Sequence, residues 1–300
     1  MPGGLRTTML NPAEMMPDMN DPDRIAQMAQ LAMLLELSSS PKPGNVDRCH
    51  DYEDVSFSHF IASAVLSYPS FRRAASGESD IGRLILDTVS AWREWGLRGN
   101  THFGEIALLI PLASAASRPG PLRSEISRVV ESTTVEDSIC FYRAFELAGA
   151  RAADVNEMSL KDPGAADEIA TRGVRLIDLM RLSQGHDLIA REWATGFSRS
   201  FELADALCEM VPRHGLNRGV VLTYITALSE EPDSLVASKF GIDVALEVSR
   251  MAGAALRSPD VISSAMEMDR VLISRDINPG STADLIASSL FIALMRGLRF

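Results

Sequence analysis

A segment between residues 38 and 54 concentrates side chains that can bind phosphate, hold a metal ion or move a proton. Lys42 stands between two prolines, which favour an extended backbone around it. Gly44 follows and permits a turn or the close approach of a ligand. A lysine on such a stiff loop can present its ammonium to a phosphate as a compact positive charge. The spacing therefore indicates a candidate phosphate-binding loop, which we call the first loop.

The same loop continues with acidic residues at regular spacing. Asp47, His50, Asp51 and Asp54 follow one another at intervals of three and four residues, which places them on one face if the segment is helical. Two or three carboxylates on one face can hold Mg²⁺ through its water ligands, and polyphosphate commonly enters protein sites with this ion. The alternative is an acidic segment that caps a helix beginning at Ser56, because paired aspartates at this spacing are common.

A second polar loop covers residues 96–104 and ends at an apolar helix. Asn100, Thr101 and His102 precede that helix, whose N-terminus is a favourable place for an anion. His102 can serve as an acid or a base near neutral pH. The alternative is structural: Asn100 or Thr101 caps the helix and Glu105 lies in its first turn.

The third loop, residues 275–284, carries the turn sequence Asn278-Pro279-Gly280 followed by two hydroxyl residues. Ser281 or Thr282 is a candidate N-cap for the last helix. Exposed amides and hydroxyls in such a turn can hold phosphate. A plain turn with a helix cap explains the same residues, and the spacing does not decide between the two.

Several charged residues stand inside otherwise apolar segments. Glu36 lies one turn before the first loop, and Asp137 lies near the start of a helix. Asp233 and Lys239 share a third segment. An acid that faces a protein core must be paired or bound to a metal, so each is a candidate ligand or a structural ion pair.

Helical periodicity dominates the elements that must position these loops, and no alternating strand pattern is evident. We predict an all-α fold: one compact domain of about ten or more helices over residues 21–300, after a flexible extension over residues 1–20. The predicted helices are Asp21–Leu37, Ser56–Leu66, Ile81–Trp95, Glu105–Ala116, Thr134–Ala148, Glu168–Leu182, Asp187–Val211, Arg218–Glu230, Asp243–Leu256, Pro259–Ser274 and Thr282–Leu298.

Composition excludes several classes of protein. The 300 residues carry a net charge of −11, which disfavours binding to nucleic acid or to an anionic membrane through overall charge. Three widely spaced cysteines indicate no disulfide framework and favour a reducing cytoplasm. The longest nearly uncharged apolar run, residues 106–116, is shorter than the roughly 20 residues that a membrane span needs. Only three of the 29 basic residues are lysines, which makes the position of each informative.

Together and in this order, the motifs resemble the triphosphoribosyl-dephospho-coenzyme A synthase family, from about residue 24 to the C-terminus. The resemblance implies an all-α enzyme that breaks the N-glycosidic bond of ATP: the 2′-hydroxyl of 3′-dephospho-CoA attacks C1′ of the ATP ribose and adenine leaves. The residues that carry the resemblance are Glu36, Pro41-Lys42-Pro43-Gly44-Asn45-Val46-Asp47-Arg48-Cys49-His50-Asp51, Asn100-Thr101-His102-Phe103-Gly104 and Pro279-Gly280-Ser281-Thr282-Ala283-Asp284-Leu285.

The resemblance implies roles for these residues, because glycosyl transfer needs carboxylates near C1′, a base for the acceptor hydroxyl and cations for the triphosphate. Proton transfer falls to Asp51, His102 or Asp47. Mg²⁺ binding falls to some of Glu36, Asp47, Asp51, Asp54 and Asp137. The residues expected to bind substrate or phosphate are Lys42, Asn45, Arg48, His50, Asn100, Thr101, Lys239, Gly280, Ser281, Thr282 and Asp284.

Other readings of the sequence remain open at this point. The form of the third loop resembles a family branch common in methanogens and methylotrophs, which makes a different acceptor, such as a precursor of a pterin-type C1 cofactor, an alternative. The Asp51-to-Asp54 pair also permits another all-α Mg²⁺-pyrophosphate enzyme, such as a prenyl-transferring synthase. The third possibility is a non-catalytic helical adaptor. A homodimer is expected from the prevalence of such assemblies alone.

Overall fold

The structure, a computed structural model, describes residues 21–48, 56–78, 80–97, 99, 101–150 and 165–300. These residues form fifteen helices and no strand, packed as one compact domain, which confirms the all-α prediction. The predicted extension over residues 1–20 lies outside the described residues.

The helices follow one another along the chain with short connections. Their bounds are α1 Pro22–Ser38, α2 Phe57–Ala75, α3 Ile81–Glu94, α4 Phe103–Ala116, α5 Leu122–Glu131, α6 Val135–Ala148, α7 Ala165–Arg172, α8 Leu176–Ser183, α9 Leu188–Thr195, α10 Ser198–His214, α11 Leu216–Glu230, α12 Ser234–Phe240, α13 Ile242–Leu256, α14 Val261–Ser274 and α15 Gly280–Met295. No helix in the described part of the chain combines the length and hydropathy needed to cross a membrane.

Two helices, α4 and α15, form the centre of the domain. Nearly all their residues are buried, as expected for helices that are apolar on every side. They contact each other, and α1 contacts both. The second polar loop leads into α4 and the third leads into α15, so the hydrophobic core itself fixes where these two loops end.

Two predicted helices are each divided in the structure. The predicted helix over 168–182 is α7 and α8, and the predicted helix over 187–211 is α9 and α10. Gly173 and Gly196 adopt positive φ angles of 65° and 66° at the breaks. A left-handed residue of this kind ends a helix, and glycine adopts it at the least cost. The prediction was wrong here because the apolar periodicity continues across both breaks.

Two short helices, α5 and α12, were not predicted, and α2 runs to Ala75 instead of ending at Leu66. Seven residues make up α12, which is too short to show a periodic pattern. Its N-cap is Asp233, whose carboxylate accepts hydrogen bonds from two backbone N–H groups of the helix. Asp233, an isolated acid in the sequence, is therefore the residue that indicates where this helix begins.

Helices α3 and α6 approach each other closely at Gly82. The Gly82 N–H donates to Asp137 Oδ1 over 2.8 Å, and a Cβ at Gly82 would lie 2.1 Å from the Asp137 carbonyl oxygen. The Asp137 carboxylate also accepts from the N–H and the hydroxyl of Thr134, which caps α6. The structure thus gives Asp137 a role in fixing the start of α6 against α3.

We expect Gly82→Ala to destabilise the protein by about 3 kcal/mol, because the added Cβ would overlap the backbone of α6 and force the two helices apart. Denaturant unfolding measures the change. Gly185→Ala is the matched control, since a Cβ at Gly185 meets nothing within 4 Å. Equal midpoints for the two variants would contradict the close packing of α3 on α6.

Candidate active site

The three polar loops meet in the structure. Gly44 in the first loop has a φ of +76° and lies against the third loop: a Cβ there would be 2.4 Å from the Ile277 carbonyl oxygen. Gly104, at the end of the second loop, lies against Asp284 in α15: a Cβ there would be 2.0 Å from Asp284 Oδ2. Neither position has space for a side chain, so glycine is required at both. Each glycine lies at a contact between two of the loops.

The first loop is held by α11. Asn217 forms two hydrogen bonds with Ser40: its Nδ2 donates to the Ser40 carbonyl over 2.7 Å, and its Oδ1 accepts from the Ser40 N–H over 3.0 Å. The hydroxyl of Tyr224 donates to the Pro43 carbonyl over 3.2 Å. The Ser40–Pro41 peptide bond is cis. Arg48, which is exposed, also contacts Asn217 Oδ1 over 3.2 Å, so α11 holds the loop at both ends.

Lys42 lies entirely inside the protein, where its ammonium forms an ion pair with the buried carboxylate of Glu36. The same ammonium donates to the Val46 carbonyl over 3.4 Å, and the Lys42 N–H donates to Asp47 Oδ2 over 3.3 Å. Burial raises the pKa of Glu36, and the charge of Lys42 opposes that rise. An ion pair removed from water is strongly destabilised when one partner is lost. Lys42 and Glu36 therefore form a fixed unit.

His102 is the N-cap residue of α4 and is fully buried. Its Nδ1 lies 2.7 Å from the hydroxyl oxygen of Ser63 in α2, and its Nε2 has no hydrogen-bond partner. Burial, with a smaller effect of the Lys42 charge, lowers the pKa of His102 to about 3. The imidazole is therefore neutral at physiological pH.

Glu105 and Asp284 add two carboxyl groups beside His102 and Lys42. Glu105 is buried, with Oε1 3.6 Å from His102 Nε2 and Oε2 without a partner. Burial raises the pKa of Glu105 well above its ordinary value, and the charges of Glu36 and Asp284 add to the rise. Asp284 keeps some exposure and accepts a hydrogen bond from the Glu105 N–H. Its pKa is also raised well above the ordinary value, first by burial and then by Glu36.

The hydroxyls of the third loop are bonded to α12. Asp233 Oδ2 accepts from both the N–H and the hydroxyl of Thr282, over 2.7 and 2.8 Å. Burial raises the pKa of Asp233 to about 6. The Ser234 hydroxyl donates to the Ser281 hydroxyl oxygen over 2.9 Å. These contacts anchor the start of α15, so Ser281 and Thr282 support the loop in this arrangement.

Five buried polar atoms in the described part of the chain lack a hydrogen-bond partner; three lie in the polar loops and a fourth lies in the first turn of α4. An unsatisfied buried polar group costs about 1–3 kcal/mol, so a cluster of them marks a place where a ligand supplies the missing bonds. The four atoms are Asn45 Nδ2, His102 Nε2, Glu105 Oε2 and Asn278 Oδ1.

A cavity of about 430 Å³ lies between the α8–α9 turn and α12. Ser234 lines it and links it to Ser281, while Asp187 lines it and raises the pKa of Asp284 through its charge. Its volume is in the range of small-molecule sites. Its walls combine apolar groups such as Leu188 and Ile242 with an Arg191–Glu231 ion pair.

Some predicted site residues lie apart from the cluster. Lys239 is in the last turn of α12 and pairs with Asp276 over 2.8 Å at the surface. Thr101 is partly exposed before α4, and Gly280 begins α15 against Leu235. The predicted residues outside the described part of the chain are His50, Asp51, Asp54 and Asn100.

Three of the predicted metal ligands lie in the described part of the chain, and each is bonded to protein groups. Glu36 is bonded to Lys42, and Asp137 is bonded to Thr134 and Gly82. Asp47 accepts from the first loop's backbone. Among the residues that the structure describes, no group of three or more metal-binding side chains has the geometry to hold an ion. The other two predicted ligands, Asp51 and Asp54, lie outside the described residues, so the Mg²⁺ site stays a prediction.

Sequence reasoning missed Glu105 as a member of the site and left Asp233 as a possible ion pair. Both had a readable signal. Glu105 is a lone acid at the start of an otherwise apolar helix, directly after the second loop. The contribution of Ser63 had no signal, because it comes from a helix far away in the chain.

Comparison with known proteins places the chain among named relatives. The sequence model of one family, described as ATP:dephospho-CoA triphosphoribosyl transferase, matches residues 22–299. The 2-(5″-triphosphoribosyl)-3′-dephosphocoenzyme-A synthase of Pectobacterium atrosepticum is 27% identical over 279 residues, which cover 88% of this chain and 86% of the relative. A Malonomonas rubra protein with a provisional assignment to the same activity is 24% identical over 306 residues, covering 92% of this chain and 89% of its own.

A solved structure is similar as well. It is a crystal structure from Archaeoglobus fulgidus, provisionally assigned as a triphosphoribosyl-dephospho-CoA synthase. It is 32% identical to this chain, with a TM-score of 0.67. The match covers 80% of this chain and 100% of the other, so the two share the helical fold over most of their length.

We expect the imidazole of His102 to stay neutral from pH 8 to pH 5, because its pKa is lowered to about 3. NMR of ¹⁵N-labelled histidine measures this, and the signal that disappears in His102→Asn identifies the residue. The unfolded chain binds this proton near pH 6.5, so the folded state loses stability as the pH falls below that value. An inflection of the His102 signal between pH 5 and 8 would contradict the buried position.

Proposed function

Because the chain belongs to the ATP:dephospho-CoA triphosphoribosyl transferase family, we propose that it transfers the 5-triphosphoribosyl group of ATP to the 2′-hydroxyl of 3′-dephospho-CoA. The bond between C1′ and the adenine nitrogen breaks, and a bond from C1′ to the acceptor oxygen forms. The match of the family over residues 22–299, which includes all three loops, carries this proposal. The relatives carry names for this one activity, and we do not retain the prenyl-transfer, pterin-type or adaptor alternatives.

The carboxyl cluster suits the chemistry of glycosyl transfer. Departure of adenine leaves positive charge on C1′ and the ring oxygen of ribose, and a fixed carboxylate stabilises that charge. Glu36, Glu105 and Asp284 lie close enough to alter one another's pKa. We propose that the ribose of ATP binds over this cluster, where the unpartnered atoms of Asn45 and Asn278 can bond to it.

Lys42 has a different role from the one its sequence position suggested. Its ammonium is fully buried against Glu36, so we propose that it keeps this carboxylate ionised instead of contacting phosphate directly. Arg48 is exposed at the edge of the first loop and remains the proposed contact of the triphosphate. The roles proposed for His50, Asp51, Asp54 and Asn100 in substrate binding, catalysis and metal binding stay predictions.

The cavity beside Ser234 is the proposed site for part of one substrate, because Ser234 bonds to Ser281 and the cavity is large enough for a nucleoside. Magnesium is proposed to arrive bound to the triphosphate of ATP, and no catalytic step is assigned to it. The homodimer and the cytoplasmic location also stay predictions.

The protein is expected to release adenine when ATP, dephospho-CoA and Mg²⁺ are present together. Liquid chromatography detects the adenine, and mass spectrometry detects dephospho-CoA enlarged by a triphosphoribosyl group. Omission of dephospho-CoA is the control, and addition of EDTA is expected to stop the reaction if the triphosphate requires Mg²⁺. Formation of ADP or pyrophosphate without adenine would contradict the proposed function.

Lys42→Met is expected to lower the free energy of unfolding by about 3–5 kcal/mol, because it leaves the buried Glu36 carboxylate without its partner. The double variant Lys42→Met/Glu36→Gln removes both charges and is expected to recover most of this loss. Both variants are expected to lose adenine release, since neither restores a carboxylate at position 36. Urea unfolding and the adenine assay measure the two effects.

Lys239→Met is the matched control for stability. Its ion pair with Asp276 lies at the surface, where such pairs contribute at most about 1 kcal/mol. Equal destabilisation by Lys42→Met and Lys239→Met would contradict the structural importance of the buried pair.

A further inference from the structure

A chain of hydrogen-bonding groups runs from α2 to α4 through Ser63, His102 and Glu105. The Ser63 hydroxyl donates its one hydrogen to the Phe60 carbonyl, over 3.0 Å. Because a hydroxyl has only one hydrogen to donate, we assign the imidazole as the donor in the 2.7 Å contact between His102 Nδ1 and Ser63 Oγ. Nδ1 therefore carries the hydrogen, and Nε2 of the neutral ring carries only a lone pair.

This tautomer determines the state of Glu105. The bare Nε2 faces Glu105 Oε1 over 3.6 Å, and no other group bonds to it. A lone pair beside a carboxylate is unfavourable, whereas a neutral carboxyl group is not repelled by it. The separation of 3.6 Å is too long for a hydrogen bond, so the hydrogen of the acid is free to lie on Oε2. Burial and the neighbouring acids favour the neutral acid too, because they raise the pKa of Glu105. The geometry and the burial thus both favour the protonated form of Glu105.

We propose that Glu105 is the catalytic acid that protonates adenine as it leaves, and that His102 is a positioning residue that orients the Glu105 carboxyl group. This inference rests on the proposed function. Glu105 Oε2 is buried and unpartnered, as expected of an atom that awaits a substrate group. Adenine is a poor leaving group as an anion, so a proton delivered to one of its ring nitrogens lowers the barrier.

The reaction gives one proton to adenine and removes one from the acceptor hydroxyl. The site regains its starting charge if Asp284 accepts the proton of that hydroxyl. The electron pair of the C1′–N9 bond leaves with adenine, which receives the Glu105 proton. The acceptor oxygen bonds to C1′ and gives its proton to the Asp284 carboxylate. Asp284 is partly exposed and accepts the Glu105 N–H, so it lies beside the acid and remains accessible to the acceptor. One proton moved from Asp284 to Glu105 restores the site.

The two carboxyl groups differ in exposure and in hydrogen bonding. The charges of Glu36, Asp233 and Asp187 raise the pKa of Asp284, and the hydrogen bond from the Glu105 N–H opposes that rise. Glu105 faces Glu36 from α1, Lys42 from the first loop, Asp284 from α15 and the neutral His102 of its own helix. Two carboxyl groups in one site seldom ionise together. We assign the charge to Asp284, because it keeps some exposure and accepts a backbone N–H, whereas Glu105 is fully enclosed.

The test compares Glu105→Gln with the wild-type protein on two donors. With ATP, the variant is expected to lose at least 100-fold in kcat, the range for removal of a general acid. With ATP methylated at N7, whose base leaves as a neutral molecule without a proton, the variant is expected to stay within about threefold of wild type. Equal losses on both donors, or full activity with ATP, would overturn the proposal.

A pH profile tests the same assignment with ATP alone. Wild-type kcat is expected to fall at high pH as Glu105 ionises, and the residual activity of Glu105→Gln is expected to lack that fall. A descending limb that persists in the variant would also overturn the proposal. Glu105→Ala replaces Glu105→Gln if the latter does not fold, as judged by its melting temperature.

Ser63→Ala tests the positioning role of His102. It removes the acceptor that holds the hydrogen on Nδ1, so we expect about a tenfold loss with ATP and none with the methylated donor. Equal loss on both donors would show that His102 is merely structural. Failure of the wild-type protein to release adenine from either donor would refute the proposed function itself, which separates the two outcomes.

Discussion

One buried positive charge organises the polar centre of this protein. The Lys42 ammonium pairs with Glu36, opposes the rise in the pKa of Glu36 and Glu105, and lowers the pKa of His102. Without this charge, no nearby cation would offset the effect of burial on the pKa of these carboxyl groups, and all of them would be protonated. The separate states that the chemistry needs, an ionised acid beside a neutral one, depend on this single cation.

The hydrophobic core places the other groups around that charge. Helices α4 and α15 are buried on nearly all sides, so neither can shift without disrupting the packing of the core. Their N-terminal ends carry His102, Glu105 and Asp284. A polar site at the ends of two core helices is as rigid as the core itself. Such rigidity is what electrostatic stabilisation of a short-lived charged state requires.

Sequence reasoning identified the helical class, the three loops and several of the central residues, because turn residues and apolar periodicity are local signals. It did not identify which polar residues are buried. The sequence predicts Lys42 to be a phosphate ligand, whereas the structure shows its ion pair with Glu36. The sequence likewise indicates that Glu105 is only an acidic residue in the first turn of a helix. The breaks at Gly173 and Gly196 depend on backbone geometry that the apolar pattern does not reveal. Partners distant in the chain, such as Ser63 for His102, follow only from the packing of helices.

The glycine contacts between the loops affect how this protein can change. Gly44 and Gly104 leave no space for a side chain, so each loop is shaped to the backbone or carboxylate of another. If one loop were replaced alone by that of a relative, it would not fit the two remaining loops, because their contact surfaces match the original loop. New substrate preference in this fold therefore has to come from coordinated replacement of all three loops, or from the cavity wall near α12, where residues such as Ser238 and Ile242 lie outside those contacts.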